Sequence, residues 1–272
     1  MSISNLKTTM KTEGIIMGVG TPNICRSGDK TMCAIILTEK LGFIRVYPIP
    51  GEEKFGVWRQ VTVELEETNT DPRHESYKLK SYQLHCLVKD CNDKRNILND
   101  CILNSGNDDP IVYQNKNRNS IALVKIEGNC SPQLIMQQPR HDQGITTQQT
   151  SWNKPYLHWE STQGKPHKTH LVGREVYEGL RSFVDEPWKV WSAMNLNRPD
   201  YDYWLLLGNI KNQMNVFVGV WVHRLKKNTN HFTPTFYKPI NGKGDDWPYC
   251  KQEDGNARIA GNQLEMFTTS DI

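Results

Sequence analysis

No apolar run in the 272 residues approaches the roughly 20 that a helix needs to cross a bilayer, so a helical membrane protein is excluded. The opening MSISNLKTTMKTEG lacks an apolar centre and a cleavage site, and is not expected to act as a secretory signal. Paired metal-binding thiols are also missing. Of Cys25, Cys33, Cys86, Cys91, Cys101, Cys130 and Cys250, only Cys86 and Cys91 approach zinc-ligand spacing, and no second pair follows. An odd count at irregular spacing points to reduced thiols and a cytoplasmic location. Phosphate-cradling glycines are absent too. Gly18-Val19-Gly20 has no third glycine at dinucleotide spacing, and RSGDKT lacks a Gly-Lys-Ser/Thr ending. There is no nucleophile-elbow sequence for Ser-His-Asp chemistry. No cofactor is expected.

What is present is a polar but foldable composition, 37% hydrophobic and 9% aromatic, with a formal charge of only +3. That charge is not spread evenly. From Trp204 to Lys243 there are six basic residues and no Asp or Glu, whereas Gly51–Ser76 is acidic through Glu52, Glu53, Glu64, Glu66, Glu67, Asp71 and Glu75. A fold that keeps these segments on different faces has one face that attracts polyanions.

The periodicity describes an α+β protein rich in antiparallel strands. A partly barrel-like N-terminal part is followed by a second α+β part with a central strand pair. CAIIL (33–37), FIRVY (43–47), QVTVELEE (60–67), SYQLHCLV (81–88) and IALVKI (121–126) read as strands, and in the third Val61, Val63 and Leu65 alternate with Thr62, Glu64 and Glu66. Asp93–Leu103 reads as a helix, and Ser131-Pro132 as a helix start. The apolar signal nearly vanishes in QQPRHDQGITTQQTS, which divides the chain into a domain over 1–137, a polar connection over 138–150 and a second domain over 151–272. Beyond it, HLVGREVYEGLRSF (170–183) reads as an amphipathic helix and Pro187 opens a short one. YWLLLGN (203–209) and NVFVGVWVH (215–223) form the strand pair, the latter apolar on both faces.

CAIILTEKLGFIRVYPIP, FGVWRQVTVELEETNTDPRHESYK and YWLLLGNIKNQMNVFVGVW together resemble a family of uncharacterised bacterial proteins. These islands cover about half the chain. Ile35 stands where that pattern has glycine, and Val46 where it has leucine. The resemblance implies a compact cytoplasmic bacterial protein from a mobile-element or antiviral defence setting, and carries no activity.

Three stretches hold the chemistry. HWESTQGKPHKTH (158–170) gathers His158, Glu160, His167 and His170, but the spacing fits no standard metal pattern and the Pro-Cys-x-x-Cys partner of zinc deaminases is missing. Its Lys165, His167, Lys168 and His170, with Arg174 beyond, suit a loop that contacts phosphates. The basic stretch offers Lys211, His223, Arg224, Lys226 and Lys227 beside aromatics, the pairing that phosphates and splayed bases require. DPRHESYK (71–78) reads as a turn opened by an Asx acceptor and a fixed proline φ, with Arg73 and Glu75 able to pair locally. Arg73, His74 and Lys78 there, with Arg45 and Arg59, form a second set of candidate nucleic-acid contacts. The leading expectation is therefore a non-catalytic nucleic-acid-binding or sensing protein, a DNA or RNA partner, and membership of a larger assembly with other protein subunits. Two alternatives remain open. One is a metal-dependent enzyme acting on nucleic acid through Glu64, Glu66, Glu75 or the histidine cluster; the other is a protein–protein adaptor.

Overall fold

The computed structural model describes residues 9–227, apart from 25–27, 52, 54, 69, 138–151, 184, 197 and 212. The first sheet comprises β1 (Thr9–Val19), β2 (Asn23–Ile24), β3 (Lys30–Thr38), β4 (Gly42–Pro50), β5 (Arg59–Glu67) and β6 (Ser76–Leu87). Its order is β1-β5-β6-β4-β3-β2, and an added β1–β3 pairing closes five of the strands into a barrel. The alternation in β5 does what its period requires: Val61, Val63 and Leu65 point into the barrel with Ile16, Ala34, Ile36, Ile44 and Val46. The first half of β1 pairs with β5 and its second half with β3, and Gly14 takes part in both ladders. A Cβ there would stand 2.4 Å from the Leu37 carbonyl oxygen, so this bend in the barrel wall requires glycine.

Counted within the barrel, β1, β3, β4, β5 and β6 are its first to fifth strands. They pair in the order first-second-third-fifth-fourth-first, and only the β4–β6 contact is parallel. This is the strand order of the oligonucleotide/oligosaccharide-binding (OB) barrel. Phe55 and Val57, in the connection between β4 and β5, are buried in its core.

After β6, α1 (Cys91–Asp100) starts under an Asp90 cap that accepts from the Asn92 and Asp93 N–H groups, and α2 (Pro110–Asn117) under Asp109. The second sheet follows: β7 (Ile121–Gln137), β8 (Trp152–Glu160), β9 (Pro166–His170), β10 (Tyr201–Ile210) and β11 (Gln213–Lys226). Its order is β11-β10-β7-β8-β9. A parallel bridge between Leu171 and Gly219, with the Val172 N–H donating to the Gly219 carbonyl at 2.8 Å, returns the end of β9 to β11. Taken as first to fifth, β7 to β11 repeat the strand order of the first barrel, including the single parallel contact. Here α3 (Arg174–Ser182) and α4 (Lys189–Ala193) fill the connection between third and fourth strands. Val176, Val190, Trp191 and Met194 close the core over Leu157, Trp159, Leu205 and Val222.

The α+β, strand-rich, barrel-like architecture expected from periodicity is what the chain adopts. Several details differ. Ile121–Gln137 belongs to the second sheet, so the two layers divide between Leu87 and Ile121. The polar stretch 138–150 lies outside the described residues, as does everything after 227. Ser131-Pro132 starts no helix but sits within β7, opposite His158 and Leu157. There β10 no longer pairs with β7, its register ending at Ile126, so a proline without an N–H costs no ladder bond on that side. The helix expected over 170–183 begins only at Arg174, because His170 completes β9. β11 stands at the end of its sheet's order, and its two-sided burial comes from the return of β9 and from contact with the first barrel. Among the cysteines expected to be reduced, Cys33, Cys91 and Cys101 are free thiols and Cys86 is disulfide-bonded. Among the described residues no helix is long and apolar enough to cross a membrane.

The barrels meet along β1, β3 and β4 of the first and β10 and β11 of the second. A Cβ on Gly18 would lie 2.7 Å from Leu206 Cδ2, so the backbones approach as closely as glycine permits. Ile35 faces Gly208, and Trp58 packs edge-on against His223 with ring centroids 4.9 Å apart.

Candidate nucleic-acid interface

In an OB barrel the second and third strands carry the ligand face. In the first barrel those strands are β3 and β4, and the second barrel covers much of their outer surface. Ile35 is fully buried. Arg45 is 5% exposed and donates to Ser120 Oγ at 3.0 Å and to the Ser120 carbonyl at 3.2 Å. The Ser120 N–H in turn donates to Glu75 Oε1 at 2.7 Å. Burial, and then the neighbouring Arg73 charge, push the Arg45 guanidinium down to about 10.

In the second barrel the equivalent strands, β8 and β9, are open. Leu157, Trp159 and Thr169 point inward, with the Trp159 indole N–H donating to Thr169 Oγ1 at 2.9 Å. The alternate residues point outward in cross-strand pairs, Tyr156 with His170 and His158 with Lys168. The Lys168 ammonium stands 4.7 Å from the Tyr156 ring centroid, and the His170 ring lies tilted against the same tyrosine at 5.3 Å. His170 Nε2 meets the Tyr177 hydroxyl of α3 at 3.1 Å. Burial, aided by the Lys154 charge, lowers the His170 imidazole to about 4, so it is neutral near pH 7. The tip 161–165 is a tight turn closed by the Ser161 N–H on the Lys165 carbonyl at 2.9 Å, with Gly164 at φ +70°. It leaves Lys165 exposed. The face thus offers an aromatic ring, a cation held over it, two imidazoles and a cationic tip.

The fifteen expected contacts divide three ways. His74, Lys78, Lys165, Lys168, Lys211, Lys226 and Lys227 are exposed. Arg59, Arg73, His167, His170, Arg174 and Arg224 are half-buried and engaged. Arg59 donates to the His85 carbonyl at 3.1 Å, and Arg73 pairs with Asp71 at 2.5 Å and reaches the Asn209 carbonyl at 3.0 Å. His167 stacks on Trp159 at 4.4 Å and meets Asp109 at 2.8 Å. Arg174 holds Glu178 and the Glu53 carbonyl, and Arg224 pairs with Glu175. Arg45 and His223 are corrections: both are buried between the barrels, where no phosphate reaches them. Arg45 alternates with Ile44 and Val46, which point into the barrel, so by period it reads as an outward-facing cation; the second barrel then covers that face, and Ser120 supplies its partners.

DPRHESYK is largely a turn, as Asp71 and Pro72 suggest, with Asp71 Oδ1 accepting from the Arg73 N–H at 3.1 Å. The local Arg73–Glu75 pairing does not form; Arg73 takes Asp71, and Glu75 goes to Ser120. Nor do the carboxylates gather. Glu64 accepts from Ser81 and Glu66 pairs with Lys80 on one side of the barrel, while Glu75 lies at the seam. Among the described residues no three His, Cys, Asp or Glu are placed to hold a metal. Within 158–170, His158 and His170 face outward whereas His167 lies against Trp159. Sequence reasoning missed Tyr156 and Tyr177. The alternation of Tyr156 and His158 with Leu157 and Trp159 is visible in YLHW, but Pro155 obscures it as a strand.

Residues 10–99 match a domain of unknown function (DUF8758). The match spans the first barrel and most of α1, a third of the chain. No curated protein matches the sequence. Among solved structures, the chain is similar to a murine DNA-binding protein bound with double-stranded DNA, at 8% identity over 82% of this chain and 99% of that one. The TM-score is 0.24, at which no shared fold follows.

Proposed function

We propose that the chain is a non-catalytic nucleic-acid-binding protein that holds a single strand, DNA or RNA, across the β8–β9 face of its second barrel. The observation that carries this is the placement of Tyr156 under Lys168 on the strands where an OB barrel receives its ligand. A base needs a flat partner and its phosphate needs a cation within the same nucleotide step. Tyr156 supplies the first, and Lys168 and Lys165 supply the second. Neutral His170, fixed by Tyr177, is a hydrogen-bonding group at the rim of the stacking surface. The strand order alone would say only that such a face exists; the side chains on it give the reading its chemistry.

Fluorescence anisotropy with labelled oligothymidine and the full chain tests it. Tyr156→Ala should weaken binding by about 1–3 kcal/mol, the usual worth of one stacked base. The logarithm of affinity should fall linearly with the logarithm of salt, with a slope of about −0.7 for each phosphate neutralised. Affinity that is indifferent to salt and to Tyr156 would sink the reading. Membership of a bacterial defence or mobile-element assembly rests on the resemblance alone, and nuclease-insensitive copurification with other subunits would support it.

A further inference from the structure

The cover over the first barrel is incomplete, and what it leaves open is not random surface. On β4, Tyr47 is 46% exposed, and its hydroxyl lies 3.0 Å from Thr31 Oγ1 on β3. In the parallel ladder its partner is Lys78 of β6, also exposed. Residues paired in register stand on the same side of a sheet, so Tyr47 and Lys78 put an aromatic ring and a cation side by side on one outer face. The nearest acid on the next strand, Glu66 opposite Lys78, is taken by Lys80.

This patch is joined to the β8–β9 face through backbone. Two residues beyond His170, the Val172 carbonyl accepts from both the N–H and the hydroxyl of Thr21, each at 2.9 Å. Gly173 bridges to Gly20. From Thr21 the chain enters β2, which pairs with Lys30 and Thr31 of β3, and Thr31 meets Tyr47. The third strand of one barrel therefore runs directly into the strands that hold the exposed aromatic of the other.

Resting on the reading proposed above, we infer that a nucleic-acid strand longer than one barrel's footprint crosses this seam and engages Tyr47 and Lys78 as a second contact. The first barrel contributes an edge of its own ligand face even though Arg45 and Ile35 have left it.

The test compares oligothymidines of about 6 and about 18 nucleotides, the first near the lower end of a single barrel's usual span of roughly 4–16 and the second beyond it. With the full chain, Tyr47→Ala should weaken the long probe about fivefold or more and leave the short one unchanged. Tyr47→Phe, which keeps the ring, should bind the long probe like the native chain. If Tyr156→Ala weakens both probes and Tyr47→Ala weakens neither, the second contact is overturned and the single-face reading stands. If Tyr156→Ala weakens neither, both fall.

Discussion

His223 is 2% exposed at the seam between the barrels, edge-on to Trp58, and neither ring nitrogen has a hydrogen-bond partner of good geometry. Burial pushes its imidazole from an ordinary value of 6.5 down to about 3, with the Arg224 and Lys94 charges adding to the effect and the backbone of Met17 opposing it only in part. Above pH 6.5 the ring is neutral in both folded and unfolded chains and has no linkage effect. As pH falls below 6.5 the unfolded chain takes up a proton that the folded chain refuses, so stability is lost progressively down to about pH 3. The slope is about 1.4 kcal/mol per pH unit, which gives about 2 kcal/mol by pH 5 and about 5 kcal/mol over the whole window. Substituting a neutral side chain of similar volume, His223→Leu, should abolish that component. Urea unfolding of the native chain and the variant at several pH values between 7.5 and 4.5 measures it. Other titrating groups are common to both proteins, so the difference in stability isolates His223. The variant should gain on the native chain steadily as the medium is acidified. A difference that stays constant across that range would refute the assignment of a neutral, sealed imidazole at this position.

Arg45→Ala should cost about 3 kcal/mol in the same unfolding assay, because it strips Ser120 and Glu75 of a buried partner. It should leave the salt slope of oligonucleotide binding unchanged, as an interior residue must. Lys168→Ala, by contrast, should barely alter stability and should reduce that slope by about 0.7. Cys101, whose thiol burial raises to about 11, should react with a maleimide at pH 8 far more slowly than exposed Cys91, as mass spectrometry of the labelled chain would show.

Elements whose own residues settle the matter are readable in the sequence. β5 announces its inner and outer faces by strict alternation, and α1 and α4 follow from an apolar stripe and a starting proline. Asp109-Pro110 carries an equally good cap for α2, but with only eight residues its stripe is too short to stand out. Long-range pairing is a different matter. Nothing in Ser131-Pro132 distinguishes a helix start from a strand position; the register against β8 decides it. Closure of each barrel depends on pairings between strands far apart in sequence, β1 with β5 and the end of β9 with β11, which no local pattern encodes. The candidate site divides along the same line. Lys165 and Lys168 are legible because a basic, histidine-rich run is unusual, although that run reads as a loop and folds as the β8–β9 hairpin. Arg45 and His223 misled because their burial comes from a second barrel that folds over them.

Gly18 and Ile35 meet the second barrel at van der Waals distance, and Arg45 depends on Ser120 for its hydrogen bonds. A fragment cut at Asn99, where the DUF8758 match ends, would carry a closed, well-formed barrel with one greasy, charge-bearing flank stripped bare. Such a piece would be adhesive. It would need either its missing half added back in trans or another protein pressed against the same strands to remain monodisperse.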